Sequence, residues 1–521
     1  MLSVYKKVLK MFGNQAINRY LMHVCACGLL VGIILLIACN ANPQENIYFV
    51  STSGKDTNPG TQARPWATFS YAVAQAMPGD TVFVRGGYYY ERLVFTRSGE
   101  AGSPIVFIGC PGEDAIIDGK GLVVPDEWGG LIEIRELAYI RVANFHVRNS
   151  SACAIFANNS SSIVIEDNYT FNSIWPGIMA WGDKDLVIRG NEVVEACKGG
   201  QGYQECISVS HTDGFEISGN HVHHGDMEGI DVKVGCRHGS IHHNSVHDLP
   251  RLGIYIDAWN QHTYDIDVYG NTVYNNKEGI NVNSENGGSI DDIRVFDNLV
   301  YENEKAGLWT AVNPGFNEAP HTITKIEFYK NISRNNGLDG IRISVPSNVT
   351  LDKITVVNNL IFGNGGAGVI VSDYSNATST IGSVIIINNT IYDNGTMDVW
   401  GSGGVYVNCS IAKQVLIRNN VVSQNELFSI AYDAIVPTET LVIDHNLVDG
   451  YRSAVAYIET IGSNAVTGDP LFVDTSAGDF HLLPESPAID SGSADDAPVD
   501  DIDGTLRPQG IAIDIGAYEY K

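Results

Sequence analysis

Residues 219–257 read GNHVHHGDMEGIDVKVGCRHGSIHHNSVHDLPRLGIYID. One phrase occurs twice in that stretch. Asn220 is followed by His221-Val222 and then by Gly229-Ile230-Asp231-Val232; Asn244 is followed by Ser245-Val246 and then by Gly253-Ile254-Tyr255-Ile256. Outward from there the same phrase recurs, with its Asn at 168, 191, 220, 244, 271, 298, 331, 359, 389, 420 and 446, at spacings of 23 to 33 residues. A period of that size belongs to stacked coils and not to a globular α/β sheet. The fold class expected is all-β, a parallel solenoid, in which each Asn can bond the Asn of the next coil and satisfy the polar groups of a turn.

The repeat also says which side chains share a surface. The Gly-Ile-x-Val strands begin at Gly177, Cys206, Gly229, Gly253, Gly279, Gly307, Gly340, Gly368 and Gly404. Alternation sends Ile and Val inward and the intervening residues outward. The first outward column then reads Met179, Ser208, Asp231, Tyr255, Asn281, Trp309, Arg342, Ile370, Tyr406. The second reads Trp181, Ser210, Lys233, Asp257, Asn283, Ala311, Ser344, Ser372, Asn408. Just before the strands stand Glu205, Glu228 and Glu278. Coils about 4.8 Å apart gather Glu205, Glu228, Asp231, Lys233, Tyr255, Asp257 and Glu278 into one patch, and Trp181, Trp259 and Trp309 flank it as platforms for sugar rings. A merely solvated face would spread its charges; this one concentrates them, so a site is expected there. Arg251 and Arg237 lie beside the groove strands. Seven histidines fall between His221 and His247. They share the segment of the Asn turns, away from the groove, and lack the HExxH spacing of a zinc protease, so no histidine metal site is expected.

Composition agrees with short strands and turns: 54 Gly and only 18% charged residues in 521. The net charge of −28 excludes nucleic acid as a partner, because its binding rests on Lys and Arg contacts to phosphate. It would also repel a polyanionic sugar unless a cation intervened. At the N-terminus a basic stretch ending at Arg19 precedes an apolar run, Leu29 to Ala38, and Leu36-Ile37-Ala38-Cys39. This is the form of a signal peptide. Its ending resembles a bacterial lipobox, which implies lipidation of Cys39 and a place in the bacterial cell envelope or outside the cell. Removing residues 1–38, which hold four basic residues and no acid, takes the charge from −28 to −32. Six cysteines remain beyond Cys39 with no CxxC pair among them, so buried thiols are expected. The expected organisation is a signal segment to residue 39, a tether over 40–46, an N-terminal cap with a short helix over 47–80, the solenoid over 81–450, and a C-terminal cap and arm over 451–521.

The segments Tyr48-Phe49-Val50-Ser51, Gly54-Lys55-Asp56, Asn58-Pro59-Gly60-Thr61, Pro65-Trp66-Ala67-Thr68, Pro78-Gly79-Asp80-Thr81 and Arg85-Gly86-Gly87 with Tyr89 resemble the start of secreted right-handed parallel β-helix carbohydrate-active proteins. The resemblance is strongest to the family 9 polysaccharide lyases, the pectate-lyase-like group. It implies a right-handed helix, a polysaccharide substrate, calcium held by acidic coils, and a lysine base. Glu228-Gly229-Ile230-Asp231-Val232-Lys233 is similar to that family's Asp-Gly-Phe-x-x-Lys strand, with Glu228 where the family has Asp. A Glu five residues before a groove Lys is also similar to the family 6 lyases, whose Arg on the next coil is here Tyr255.

Two mechanisms fit the same patch. In β-elimination Lys233 is the base, Glu205, Glu228 and Asp231 hold Ca²⁺, and Tyr255 or Arg251 serves the leaving oxygen or the substrate. In hydrolysis Asp231 and Asp257 are the paired carboxylates, with Glu205, Glu228 and Glu278 further candidates, and Lys233 tunes one of them. Trp181, Arg251, Trp259, Glu278, Asn281, Asn283, Trp309 and Arg342 are the substrate-binding candidates in either case. A third possibility is a non-catalytic glycan-binding surface lipoprotein. The expected partners are a polysaccharide or oligosaccharide and, through the lipid alone, a membrane. No organic cofactor is expected, and the chain is expected to act as a monomer.

Overall fold

A computed structural model describes residues 46–126, 128–199, 205–313, 319–345, 348–373, 379–397, 399–450 and 457–521. The signal segment, Cys39 and the tether up to residue 45 lie outside these. Among the described residues no helix is long and apolar enough to cross a membrane. Among the described residues three sheets of 15, 14 and 15 strands are built one strand per coil, parallel throughout except where Ile458–Glu459 pairs antiparallel with Ile430–Tyr432. The strand Ile47–Val50 opens the first sheet against Thr81–Val84. Between them the helix Phe69–Gln75 closes the apolar end of the stack. Thr68 caps it by accepting a bond from Tyr71 N. Asp56 in turn holds that cap, accepting from Ala67 N at 2.8 Å and Thr68 N at 3.0 Å.

The Asn turns owe their two-residue signature to backbone conformation. The residue before each ladder Asn has a left-handed φ: Asp167 at 54°, Gly190 at 64°, Gly219 at 61°, Gly270 at 62°, Asn358 and Asn388 at 54°. Gly and Asn enter that region at least cost, which is why Gly-Asn and Asn-Asn recur. From Asn191 onward each ladder Oδ1 accepts two bonds from the preceding coil: Asn271 Oδ1 takes Asn244 N and Asn244 Nδ2, both at 3.0 Å. Nδ2 returns to a strand carbonyl, as from Asn271 to Ile241 O at 2.9 Å. A second ladder, Asn276-Asn303-Asn336-Asn364-Asn394-Asn425, runs beside it with the same bonding. It escaped the sequence reading because its spacing merely echoes the first.

The second sheet carries the groove strands, and their register is the one the alignment predicts. Met179 pairs with Ser208, Ser208 with Asp231, Asp231 with Tyr255, Tyr255 with Asn281, Asn281 with Trp309 and Trp309 with Arg342. Beneath them Ile178, Ile207, Ile230, Ile254 and Ile280 form a fully buried column. All six cysteines beyond Cys39 are buried and unpaired, as expected. At the far end the parallel stack continues to Val466–Thr467, which pairs with Leu447–Asp449. The remaining chain folds back over the third sheet. There Phe480, Ala517 and Tyr518 pack on Leu360, and Ala517 N donates to Thr390 Oγ1 at 3.0 Å.

Candidate functional site

Four successive strands of the second sheet place the charged patch: Ile207–Ser210, Ile230–Lys233, Leu252–Trp259 and Glu278–Glu285. Because outward residues on adjacent coils stand directly over one another, their side chains pack together instead of reaching into water. Asp231 is 1% exposed, Glu205 3%, Glu228 4% and Asp257 5%. Burying carboxylates is costly unless each finds a counter-charge or a proton, and the site provides both.

Lys233 is the hub. Its Nζ lies 2.5 Å from Glu205 Oε2 and 3.3 Å from Asp231 Oδ2. Ser208 Oγ adds a 2.7 Å bond to the same Glu205 oxygen. Burial alone would drive the ammonium toward neutrality, but Glu205, Asp231 and Asp257 outweigh it and hold Lys233 above the ordinary lysine range. The base role expected for Lys233 requires a lowered pKa, and here the amine is held as an ammonium against Glu205 with Asp231 beside it. Asp231 and Asp257 are both pushed well above the carboxylate range, chiefly by burial, with Lys233 pulling the other way and neighbouring acids adding to the push. Asp231 Oδ1, Asp257 Oδ1 and Glu228 Oε2 are buried and have no hydrogen-bond partner among the described residues.

Around this centre the other candidates are paired off. Arg251 Nε sits 2.7 Å from Glu228 Oε1, so it neutralises a groove acid. Glu278 takes Lys305 Nζ at 3.2 Å and Asn281 Nδ2 at 2.7 Å. Asn283 Oδ1 accepts from Ala311 N at 2.9 Å. Tyr255 OH donates to Glu285 Oε1, and burial together with that carboxylate keeps the phenol protonated. Glu285, at the end of its strand and out of the aligned columns, is a site residue the sequence reading missed. Arg342 is bound to Asp339 at 2.6 Å and lies 5.6 Å above the Trp309 ring. Trp181, 39% exposed, stacks on His211 at 5.3 Å and meets Trp128 edge-on at 5.7 Å. Trp128 therefore joins the aromatic wall, from a loop the column alignment does not reach. Trp259 closes the strand Leu252–Trp259 and pairs in register with Glu285.

Calcium held by Glu205, Glu228 and Asp231 would need their oxygens to converge on one point. Glu205, Glu228 and Asp231 do not bring three carboxylate oxygens within 4.8 Å of one another. The ammonium of Lys233 and the guanidinium of Arg251 already supply the positive charge that a cation would bring. The donors present fit a compensated ion-pair cluster and not a six- to eight-oxygen calcium shell.

Glu228 makes the site pH-sensitive. Burial, then the charge of Glu205, pushes it from 4.5 up to about 7, against the pull of Arg251. A carboxyl raised on folding contributes stability below its unfolded pKa and loses it as pH climbs through the folded one. The loss between pH 4.5 and 7 amounts to about 3 kcal/mol. Glu228→Gln is therefore expected to match the natural chain in urea unfolding at about pH 4 and to exceed it by up to about 3 kcal/mol at about pH 8. A gap of the same size at both pH values would refute the assignment.

Two family models match the chain. One, described as "Pel9A-like, right handed beta helix region", covers residues 48–240, and the other, "Right handed beta helix region", covers 265–383. The chain has the right-handed parallel β-helix fold that both models describe. It is 26% identical over 336 residues to the uncharacterized protein YwoF of Bacillus subtilis (strain 168), which spans 55% of this chain and 69% of that one. It is 28% identical over 146 residues to the pectate lyase PEL9 of Emericella nidulans, over 26% of this chain and 35% of that one. The crystal structure of pectate lyase Pel9A covers 92% of this chain and 97% of its own, at 16% identity and a TM-score of 0.37. The matched span 48–240 contains the whole Glu228–Lys233 strand, so the first half of the centre lies within it and Asp257 lies beyond it.

Proposed function

We propose that this chain is a polysaccharide-cleaving enzyme and that it hydrolyses glycosidic bonds with Asp231 and Asp257. One observation carries the reading: two buried carboxylates on adjacent coils, each with an unpartnered oxygen, flank a single locked ammonium. Burial favours a proton on such a pair, and Lys233 stabilises a negative charge. One member can therefore donate a proton to the leaving oxygen while the other stays ionised as base or nucleophile. Trp181, Trp259 and Trp309 offer ring faces to sugars, and Trp309 Nε1 and Asn281 Oδ1, both without a partner among the described residues, offer a donor and an acceptor. The substrate favoured is a neutral glycan. The net charge of −28 repels uronates unless a cation intervenes. Exported placement through a lipid on Cys39 belongs to the same proposal.

β-Elimination is the second reading. It is favoured by the Pel9A-like match over Glu228–Lys233 and by the name of the Emericella relative. It needs a uronate and a deprotonated Lys233. One screen separates the two. Membrane and soluble fractions of cells making the full chain are incubated with neutral and uronic polysaccharides, with calcium or with chelator, and reducing ends are read together with ultraviolet absorbance. Hydrolysis gives new reducing ends without absorbance, insensitive to chelator, in the membrane fraction. Absorbing product on a uronic polymer overturns the hydrolytic reading, and activity confined to the soluble fraction removes the lipid anchor.

A further inference from the structure

On the third sheet, away from the groove, Glu192 pairs in register with His221, and His223 follows two residues on, on the same face. Ligand atoms of these three side chains lie within 4.8 Å of one another. His223 Nε2 is 3.4 Å and His221 Nδ1 4.0 Å from Glu192 Oε1. Around a tetrahedral zinc with bonds of about 2.0–2.1 Å, ligand atoms stand about 3.3–3.4 Å apart. One edge already has that length and the other is within reach of a small side-chain rotation.

The other ring nitrogens are occupied in a way that leaves the inward ones free. His221 Nε2 lies 2.7 Å from His247 Nε2, and His247 Nδ1 lies 2.7 Å from Asp248 Oδ2. His223 Nδ1 lies 2.7 Å from His224 Nδ1, and His224 Nε2 faces the same Asp248 oxygen at 4.0 Å. One tautomer assignment satisfies both chains. Each ligand histidine donates outward to a second histidine, which donates on toward Asp248, and the lone pairs of His221 Nδ1 and His223 Nε2 are left facing Glu192. A carboxylate behind an outer imidazole is the arrangement that orients a metal-bound histidine and raises its basicity. His223 and His247 are further fixed by stacking at 5.1 Å with 3° between their planes. Glu192 and His221, each 46% exposed, leave the ligand face open to solvent.

We propose that Glu192, His221 and His223 bind one divalent transition-metal ion of the zinc class. Imidazole nitrogens with one carboxylate suit zinc, copper or nickel and not calcium, so this site is separate from the groove in place and in chemistry. Three protein ligands leave the fourth position to water.

The test uses the full chain, stripped with chelator and dialysed. Zinc chloride is titrated calorimetrically in excess calcium, and cobalt replaces zinc for a visible spectrum. One saturable equivalent with the intense absorption of tetrahedral cobalt is expected. His221→Ala with His223→Ala should weaken zinc binding at least 100-fold, and His247→Phe, outside the ligand set, by about 10–100-fold. His221 is partly exposed whereas His223 and His247 are largely covered, so circular dichroism monitors the fold of each variant. Asp231→Asn should bind zinc as the natural chain does. The absence of saturable uptake, unchanged uptake in the double variant, or loss of uptake in Asp231→Asn each overturns the proposal.

Discussion

Asp231→Asn is expected to lower the rate of glycan cleavage by about 10²–10⁴-fold while leaving the chain at least as stable at neutral pH. The two halves of that expectation come from the same geometry. Asp231 is 1% exposed, and burial holds its carboxyl well above the ordinary range. Asn has the shape of the protonated acid and carries no charge to desolvate. A purely structural carboxylate of this kind is therefore replaced at little or no cost. A catalytic one must change its protonation during the reaction, and Asn cannot do so. Asp257→Asn is expected to behave alike, since Asp257 shares the burial and the orphaned oxygen. Turnover on the polysaccharide identified by the screen and the midpoint of urea unfolding are the measurements. Full turnover in both variants would remove the pair from the mechanism. A large stability loss in either variant would show that its carboxyl rests ionised and would overturn the protonated resting state.

Much of this was legible in the sequence, and for a physical reason. Parallel coils with hydrogen-bonded register make outward residues stack, so aligning Gly229-Ile230-Asp231-Val232 on Gly253-Ile254-Tyr255-Ile256 is already a statement about distance. The observed pairing of Asp231 with Tyr255 and of Asp257 with Asn283 follows that alignment. The alignment is silent on how far each side chain extends and what it meets. It places Lys233 beside acids without saying that Glu205 and Asp231 will hold its proton. It cannot show that Arg251, at a strand end, turns onto Glu228, or that Tyr255 reaches Glu285. Trp128 comes from a loop outside the repeat and so falls outside any column. The histidines were discounted because metal motifs in sequence are spacings along one helix. In a solenoid the ligands converge across coils, so Glu192 and His221, 29 residues apart in the chain, become direct neighbours.

Lys233→Met is expected to destabilise the chain by about 3–5 kcal/mol at neutral pH, because it leaves Glu205 buried with its counter-charge removed. The size of this effect separates the two enzymatic readings. A lysine that serves as base must rest as a neutral amine, and a neutral amine compensates no carboxylate. Its loss would abolish turnover with little change in stability. A lysine that rests as an ammonium is part of the fold at that point, and its loss must be felt there. The penalty should shrink as pH falls, since protonation removes the negative charge that Lys233 compensated. Adding Glu205→Gln to Lys233→Met removes the stranded charge and should recover a large part of the loss, the non-additivity expected of partners in contact. Urea unfolding of the single and double variants near pH 5 and pH 8 supplies the comparison. A Lys233→Met chain as stable as the natural one at pH 8, yet inactive, would return the proton-abstracting role to Lys233 and with it the case for β-elimination.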